Sequence, residues 1–251
     1  GAPVNAVYGF TNMFLRLTQR LHCDYCLVLF DAKRQNYRNN IFAAYKATRK
    51  EIPEDLIPQF AIIRQALDAL NINYLDMEGF EADDLIATYA EQGLSKGYEV
   101  TVISADKDLM QLIRPDVEFF DPMKDKFFTP EDVKEKFGVY PERVIDVQAL
   151  AGDSTDNIPG VPGIGLKTAA ELINTFGSLE EVLTRAAEIK QNKRRETILN
   201  NIEQARISLQ LVTLKKDVPV AHGIEEYPCR TPQKDKVLNF VEQYGFNSIK
   251  P

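Results

Sequence analysis

Seven acidic residues of this 251-residue chain stand where the ends of predicted strands and helices would gather them into one cluster. Closely packed carboxylates repel one another and take up protons unless cations neutralise them. Because no His or Cys accompanies these acids, their hard oxygen atoms favour Mg²⁺ or Mn²⁺. The pattern predicts a metal site, and two ions about 4 Å apart would suit phosphoryl transfer to water. The predicted ligands are Asp31, Glu81, Asp83, Asp106, Asp108, Asp153 and Asp156.

The elements that position these acids alternate between strand and helix patterns. "YCLVLFD" (25–31) and "YEVTVISAD" (98–106) are typical of buried strands, and they end in Asp31 and Asp106. "EADDLIATYAEQGLSKG" (81–97) is typical of a helix, and the helix macrodipole is enough to explain Asp84 in its first turn. This alternation predicts a mostly parallel central sheet flanked by helices, with ligand sites at the carboxyl ends of its strands.

From about residue 141 onward, helical patterns replace the strand patterns. We therefore predict an α/β core over residues 1–140 and a helical region over residues 141–251. In the helical region, Asp153 and Asp156 follow a predicted helix, and their three-residue spacing can place both on one side of a turn.

The acidity of the chain is accounted for by the predicted metal site. Lys plus Arg total 30 and Asp plus Glu total 37, so removing the seven predicted ligands leaves 30 against 30. The remaining surface is balanced, and the net charge of −7 does not exclude nucleic acid as a partner. No apolar run approaches the ~20 residues of a membrane-spanning helix, which predicts no membrane partner.

Three cysteines, Cys23, Cys26 and Cys229, are too few for a disulfide framework and indicate a reducing, cytoplasmic environment. "HCDYC" (22–26) contains a Cys-x-x-Cys that is also found in zinc and redox sites. No second Cys/His pair completes such a site, and the motif leads directly into the apolar segment "LVLF". We therefore predict a structural role for these cysteines.

The glycine-rich stretch "GVPGIGLKT" (160–168) is close to the phosphate loop of nucleotide hydrolases, but an extra Leu166 precedes Lys167. That loop also requires a strand before it, whereas this stretch follows a predicted helix. The order helix, hairpin, helix instead predicts a helix-hairpin-helix over about residues 152–176, which holds a DNA backbone without reading its sequence. A plain structural turn is the alternative, because glycine and proline also mark turns.

A basic stretch follows Asp31 within two residues, so its cations could reach a phosphate held at the metals. Interleaved aromatic rings offer stacking surfaces for unpaired bases, although a solvated helix face is the alternative. The stretch contains Lys33, Arg34, Arg38, Lys46, Arg49 and Lys50, with Tyr37, Phe42 and Tyr45 between them.

Together these motifs resemble the 5′-nuclease, or flap endonuclease, domain at the N-terminus of bacterial DNA polymerase I. The resemblance covers nearly the whole chain in the order of the family. The stretches that carry it are "VYGFTNM", "LVLFDAK", "YKATRKEIPEDL", "GFEADDLIAT", "ISADKDLMQL", "ALAGDSTDNIPGVPGIGLKTA" and "LVTLKKDVPV".

The resemblance implies a resolvase-like (PIN) sheet followed by a helix-three-turn-helix, and the same seven acids as ligands of two or more Mg²⁺ or Mn²⁺ ions. It implies a nuclease that removes 5′ flaps and RNA primers at single-strand/double-strand junctions, with Lys46 and Arg49 as catalytic residues at the scissile phosphate. It also implies a helical gateway over about residues 33–58, K⁺ at the hairpin, a monomeric bacterial protein at the nucleoid and a polymerase domain after Pro251. The predicted DNA contacts are Lys33, Arg38, Tyr45, Gly160, Gly163, Gly165, Lys167 and Thr168.

In the family, a further strand that ends in another metal-ligating aspartate precedes the segment that matches Gly1. The resemblance therefore implies a sheet without one central strand and a metal cluster with one ligand fewer. Two alternatives to the nuclease stay open at this point. One is a junction-binding fragment with impaired catalysis, and the other is a metal-dependent ribonuclease, which would not need the helix-hairpin-helix.

Overall fold

The computed structural model describes residues 3–249, which divide into two compact units. Of the described residues, one unit combines 3–32, 50–77 and 219–249 and is called the terminal unit below; the other combines residues 33–49 and 78–218 and is called the central unit. The described α-helices are α1 Asn5–Arg20, α2 Arg38–Ile41, α3 Ile57–Ala69, α4 Ala82–Ser95, α5 Pro130–Phe137, α6 Val144–Ala151, α7 Leu166–Phe176, α8 Leu179–Thr184, α9 Asn192–Leu199, α10 Ile202–Val212 and α11 Lys234–Tyr244. The strands are β1 Leu27–Phe30, β2 Asn73–Asp76, β3 Val100–Ile103, β4 Val117–Asp121 and β5 Lys126–Phe128. Short 3₁₀ helices span Lys107–Leu112, Pro141–Arg143, Ala186–Glu188 and Ile224–Glu226.

In the terminal unit, α1, α3 and α11 enclose a small core of apolar side chains. Val7 of α1, Ala66 of α3 and Phe240 of α11 are all buried in it. The parallel strands β1 and β2 pair from Leu27–Asn73 to Phe30–Asp76. Asp31 follows β1 directly, as the strand pattern predicts.

In the central unit, β3 and β4 are parallel, and β5 returns antiparallel to β4 after a tight turn. Two of the three strand pairs of the described chain are thus parallel, and the mostly parallel α/β class is confirmed. The strands form two sheets instead of one within residues 3–249. Alternating hydrophobicity identifies a strand and its buried face, but it does not identify the strand that pairs with it.

A single hydrophobic core runs through the central unit and crosses the predicted domain division at residue 140. Val102 and Phe119 of the sheet share this core with Val147 of α6 and Leu172 of α7. The compact units therefore do not separate at residue 140, because the apolar faces of these helices are buried in the same core as the sheet.

The predicted helical gateway over residues 33–58 is wrong in most of its length. Only α2 and the first turn of α3 are α-helical there, and residues 43–48 form turns. Lys46 has a left-handed backbone with φ of 57°, which an L-residue does not adopt inside a right-handed helix. Its backbone N–H donates to the carbonyl oxygen of Asp156 at 2.8 Å, which helps to hold this conformation.

A search of residues 3–249 for a helix with the length and apolar character needed to cross a bilayer finds none.

Candidate active site

Five of the predicted metal ligands line one small cavity of the central unit, and Lys46 and Arg49 line the same cavity. The five acids are Glu81, Asp83, Asp106, Asp108 and Asp156. Asp153 adjoins them, because its Oδ1 lies 3.4 Å from the backbone nitrogen of Asp156. Asp31 belongs to the terminal unit, and its part in the site stays a prediction.

Glu81 is placed by the start of α4. It is the N-terminal capping residue of this helix, and its backbone N–H donates to Oδ2 of Asp84 at 3.2 Å. The side chain of Asp84 is fully buried, so its role is not the one that the macrodipole argument assigned to it. Asp84 instead receives the guanidinium of Arg38 through two hydrogen bonds of 2.6 and 2.8 Å.

Arg38 does not have the predicted DNA-contacting position. Only 1% of this residue is exposed, and its guanidinium also donates to Glu81 Oε2 at 2.8 Å and to the carbonyl oxygens of Leu211 and Thr213. The ionised Asp84 holds the pKa of Arg38 above its ordinary value against the opposing effect of burial. The prediction was wrong because a basic stretch in a sequence does not reveal which of its cations meets a buried acid.

Tyr45 is likewise absent from the surface in this structure. It is buried, and its hydroxyl donates to Glu81 Oε2 at 3.0 Å, so its ring is not available to stack on a base. Burial raises the pKa of Tyr45 far above its usual range and keeps the phenol protonated as a donor. Glu81 is thus fixed from one side by Tyr45 and Arg38.

Lys46 and Arg49 neutralise acids of the cavity. The Lys46 ammonium pairs with Oε1 of Glu81 and lies 3.8 Å from Oδ2 of Asp156. Arg49 donates through both Nε and Nη2 to Oδ1 of Asp156, at 2.8 and 2.5 Å. Both cations therefore stand at the carboxylates that were predicted to hold metal.

Asp106 and Asp108 flank the start of the 3₁₀ helix Lys107–Leu112. Asp106 Oδ1 accepts from the backbone N–H of Asp108 at 2.9 Å, and Gln148 of α6 donates to Asp108 Oδ1 at 2.7 Å. Burial and the neighbouring charge of Asp106 raise the pKa of Asp108 to about 6, against the lowering effect of the Gln148 hydrogen bond. Without cations, the negative charges of Asp106 and Asp108 therefore repel each other.

Asp153 and Asp156 are placed by a tight turn after α6. Asp153 and Ile158 form an antiparallel bridge, and Asp153 Oδ1 accepts from the backbone N–H of Thr155 at 2.8 Å. Lys107 donates to Asp153 Oδ2 at 2.8 Å and, against the effect of burial, helps to hold the pKa of that carboxyl below its usual value.

The glycine-rich stretch lies between α6 and α7 and forms the predicted helix-hairpin-helix, with no strand before it. Gly160 has φ of 59°, and a Cβ there would meet the backbone of Ala151 at 2.7 Å. The loop reaches α7 through Gly165, its N-cap residue. Lys167 is exposed and Thr168 half-buried in the first turn of α7, and Gly163 is exposed in the loop before it. Gly163, Gly165, Lys167 and Thr168 form a surface with backbone N–H groups that suits an anion. Gly160 does not have the predicted DNA-contacting position, because it is buried and its N–H donates to Ser208 Oγ at 2.9 Å.

Lys33, the remaining predicted DNA contact, is exposed and pairs with the exposed Glu78 at 2.6 Å. An exposed pair of this kind is held weakly, so a phosphate can replace Glu78 at little cost.

Sequence reasoning missed three residues that orient the acids. Asp84 was set aside, Lys107 was not considered although it stands between two predicted ligands, and Gln148 carries no sequence signal at all. Arg38 was noticed for its charge but was given the wrong role. The spacing of Asp84 three residues after Glu81 could have indicated a capping pair, since an N3 acid often accepts from the N-cap N–H.

The donor set fits hard divalent cations. Its ligand atoms are all carboxylate oxygens, and their mutual repulsion shows in the raised pKa of Asp108. Lys46, in the turn over residues 43–48, pairs with Glu81, and the exposed Arg49 pairs with Asp156.

Comparison with known proteins shows the family of the chain. The model of the 5′-3′ exonuclease N-terminal resolvase-like domain matches residues 1–138, and the model of the 5′-3′ exonuclease C-terminal SAM fold matches residues 139–235. The chain belongs to the 5′-3′ exonuclease family. The resemblance stated from the sequence is thereby confirmed.

Three similar proteins illustrate this membership. DNA polymerase I of Rhizobium leguminosarum is 46% identical over 256 residues, which cover 99% of this chain and 25% of the polymerase. The 5′-3′ exonuclease of Aquifex aeolicus is 36% identical over 249 residues, 99% of this chain and 85% of that protein. A crystal structure of the T5 D15 protein, co-crystallised with metal ions, superposes with a TM-score of 0.72 at 26% identity over 82% of each chain. The chain spans 25% of the length of the Rhizobium leguminosarum polymerase and 30% of the length of the thermostable DNA polymerase I of Thermus thermophilus.

Proposed function

We propose that this chain is a divalent-metal-dependent nuclease that hydrolyses phosphodiester bonds at 5′ flaps and 5′ ends of duplex DNA and removes RNA primers. The observation that carries the proposal is the pairing of Lys46 with Glu81 and of Arg49 with Asp156 inside one acid-lined cavity. Hydrolysis of a phosphodiester requires ligands for metal ions and groups that stabilise negative charge, and this cavity contains both.

Mg²⁺, or Mn²⁺ in its place, is the proposed cofactor, with two or more ions bound. When bound, such ions would polarise the phosphoryl oxygen, lower the pKa of a water nucleophile and stabilise the leaving oxygen. The proposed ligands are Asp31, Glu81, Asp83, Asp106, Asp108, Asp153 and Asp156.

Lys46 and Arg49 carry the proposed catalytic role of the protein itself. Glu81 and Asp156, their ion-pair partners, are among the residues that would hold the ions, so a phosphate bound at this cavity would lie within reach of both side chains. There they stabilise the negative charge that develops on its non-bridging oxygens. Arg38 and Tyr45 act as positioning residues for Glu81, because both are buried and hydrogen-bonded to its carboxylate.

The hairpin before α7 supplies the proposed grip on the duplex. A DNA phosphate would meet backbone N–H groups and the Lys167 ammonium here, contributed by Gly163, Gly165, Lys167 and Thr168. Binding of K⁺ by this loop, which the sequence resemblance implies, stays a prediction. Asp153 and Asp156 stand on the N-terminal side of the same loop. One segment thus connects the hairpin that binds the duplex to the cavity, so the cleavage position is determined by its distance from the junction and not by base sequence.

The biological partners follow from the relatives. Because the matched relatives include bacterial DNA polymerase I, we propose that the chain acts at the nucleoid, in the cytoplasm, as a monomer next to a polymerase domain.

The test is cleavage of a 5′-flap duplex labelled in the flap, with Mg²⁺ and with EDTA. We expect cutting near the junction, a 5′-phosphate on the product and no cutting in EDTA. A duplex without a flap and a single strand of the same sequence serve as controls, since a ribonuclease or a nonspecific nuclease would not require the junction. Tight junction binding without any cutting in Mg²⁺ would support the binding-only alternative and overturn the proposal.

A further inference from the structure

The three cysteines of the chain meet at one point of the terminal unit. Cys23 and Cys26 precede β1, whereas Cys229 follows the 3₁₀ helix Ile224–Glu226. The three sulfur atoms all lie within 4.8 Å of one another. Cys23 and Cys229 are joined as a disulfide across 206 residues of sequence, and Cys26 carries a free thiol. The sequence-based prediction of a structural role did not foresee that Cys229, which belongs to no second Cys/His pair, lies beside the Cys-x-x-Cys motif.

Backbone contacts that do not involve the sulfur atoms hold this arrangement. The N–H of Cys26 donates to the carbonyl oxygen of Tyr227 at 3.0 Å, and the N–H of Cys229 donates to that of Asp24 at 2.8 Å. Tyr25 and Pro228 form an antiparallel bridge between these two bonds. The Asn73 side chain also donates to the carbonyl oxygen of Pro228 at 3.2 Å. Cys229 is therefore held beside the Cys-x-x-Cys pair whether or not the disulfide is present.

We propose that the reduced chain binds one soft cation of the Zn²⁺ class through the thiolates of Cys23, Cys26 and Cys229. Three thiolates, two from one short loop and one from a distant segment, are a ligand set that selects Zn²⁺ over Mg²⁺. The described cluster supplies three sulfur ligands, so a water or a small-molecule ligand completes a tetrahedral set. This site differs in ligand chemistry from the carboxylate cavity, which selects hard cations.

The disulfide is the oxidised form of the same site. A dithiol reductant supplies two electrons and two protons, which convert the Cys23–Cys229 bond into two thiols while the dithiol becomes a disulfide. Cation binding then releases the protons of the three thiols to solvent. A disulfide alone would use two sulfur atoms and give no role to Cys26, which is half-buried against them.

The bound cation would fasten the segment that leads into β1 to the segment that precedes α11. Both states, disulfide and metal-bound, connect the same two backbone segments. The site therefore joins these two segments by the disulfide in oxidising conditions and by the bound soft cation in reducing conditions.

The test is a Co²⁺ titration of the chain after reduction by a dithiol, which is then removed without air. Excess Mg²⁺ is present throughout to occupy the carboxylate site. We expect one Co²⁺ per chain with a sulfur-to-cobalt charge-transfer band, loss of that band when Zn²⁺ displaces Co²⁺, and no band in the oxidised chain. A count of three free thiols with no such band would overturn the proposal.

Two variants separate the cation site from the disulfide. Cys26→Ser keeps both residues of the disulfide, so it should fold and oxidise normally, yet its affinity for Co²⁺ after reduction should fall at least tenfold. Cys229→Ser should lower the affinity similarly, and Asp106→Asn, which alters the carboxylate cavity, should leave the charge-transfer band unchanged. Unchanged Co²⁺ affinity in Cys26→Ser or Cys229→Ser would contradict a three-thiolate site.

Discussion

At the scale of single residues, the cavity is organised by buried contacts to Glu81 and by the positively charged side chains of Lys46 and Arg49. Lys46 keeps a left-handed backbone conformation, which costs a non-glycine residue on the order of 1 kcal/mol or more and is found most often at functional sites. The hydrogen bond from its N–H to Asp156 fixes this conformation, and its side chain reaches Glu81. The backbone therefore aims Lys46 at the acids, and a substitution of its side chain should affect chemistry more than folding.

We expect Lys46→Ala to lower kcat by about 10²–10³, the range seen when one donor to a developing negative charge is removed. The Kd for a flap duplex should change by less than a factor of about five. Single-turnover cleavage and equilibrium binding give the two numbers. Lys33→Ala is the control, because its exposed cation should affect binding and leave the rate of the bound complex nearly unchanged. Equal losses of rate and affinity in Lys46→Ala would remove Lys46 from catalysis.

Arg38 and Asp84 form a buried ion pair whose partners depend on each other. Removing one member leaves an uncompensated buried charge, so Arg38→Ala or Asp84→Ala should each lower the free energy of unfolding by about 3–5 kcal/mol. Urea unfolding of both variants and of Arg38→Ala/Asp84→Ala tests this. The double variant should lose clearly less than the sum of the single losses. Additive losses would show that the pair is not coupled.

At the scale of elements, the hairpin between α6 and α7 depends on one close backbone contact. Gly152 and Gly160 approach each other, and both have positive φ angles of 70° and 59°. The N–H of Gly160 also donates to Ser208 of α10 at 2.9 Å. The loop that leads to α7 is thus fixed at its start by contacts that leave no room for a side chain.

Gly160→Ala should therefore destabilise the protein more than Gly163→Ala. Both glycines have a left-handed backbone, but a Cβ at Gly160 would overlap backbone atoms of Ala151 and Gly152, while nothing lies within 4 Å at Gly163. We expect an additional loss of about 1–3 kcal/mol for Gly160→Ala in urea unfolding, the usual cost of overpacking. Equal stabilities would contradict the close approach.

Lys167 is the cation that the hairpin adds to the start of α7. If it contacts a DNA phosphate, Lys167→Ala should weaken duplex binding and reduce the slope of log K against log salt concentration by about 1. Lys193→Ala is a matched control, because Lys193 is also exposed and is also the second residue of a helix, α9, but no glycine-rich hairpin precedes it. An unchanged slope for Lys167→Ala, or the same change for Lys193→Ala, would argue against the phosphate contact.

At the scale of the whole molecule, the net charge of −7 equals the number of predicted metal ligands. Metal binding should therefore stabilise the folded chain, because the folded state holds acids together that the unfolded state separates. Asp108 illustrates the balance, since its burial beside Asp106 disfavours its charge.

Asp108→Asn should accordingly act in opposite directions with and without metal. In EDTA the variant should have a higher Tm than the parent, because one of several repelling charges is gone and the Gln148 donor still finds an oxygen. In Mg²⁺ the parent should gain more in Tm than the variant, which has lost a ligand. Thermal unfolding in both buffers measures these Tm values. A lower Tm of the variant in EDTA would show that repulsion between the carboxylates does not limit the stability of the folded chain.

Much of the local structure could be predicted from sequence. Thr129, Pro130 and Gly138 predict a helix with defined ends, and α5 begins at Pro130 and is followed by Gly138 with φ of 76°. "YEVTVISAD" (98–106) likewise predicts a strand, and β3 spans Val100–Ile103 within it. Such predictions succeed because capping, glycine conformation and alternation depend on residues a few positions apart.

The sequence by itself determined the family, the choice of the acids that line the cavity and the hairpin between two helices, since each is encoded in residue type and short spacing. Only the tertiary structure decided that the strands form two sheets, that Arg38 and Tyr45 are buried against Glu81, and that Cys229 lies beside Cys23 and Cys26. The contacts of Tyr45 and Arg38 with Glu81 and the Cys23–Cys229 bond join residues separated by between 36 and 206 positions. Over such distances the partner of a charge, a thiol or a strand depends on which apolar faces are buried together, and no short stretch of sequence encodes that.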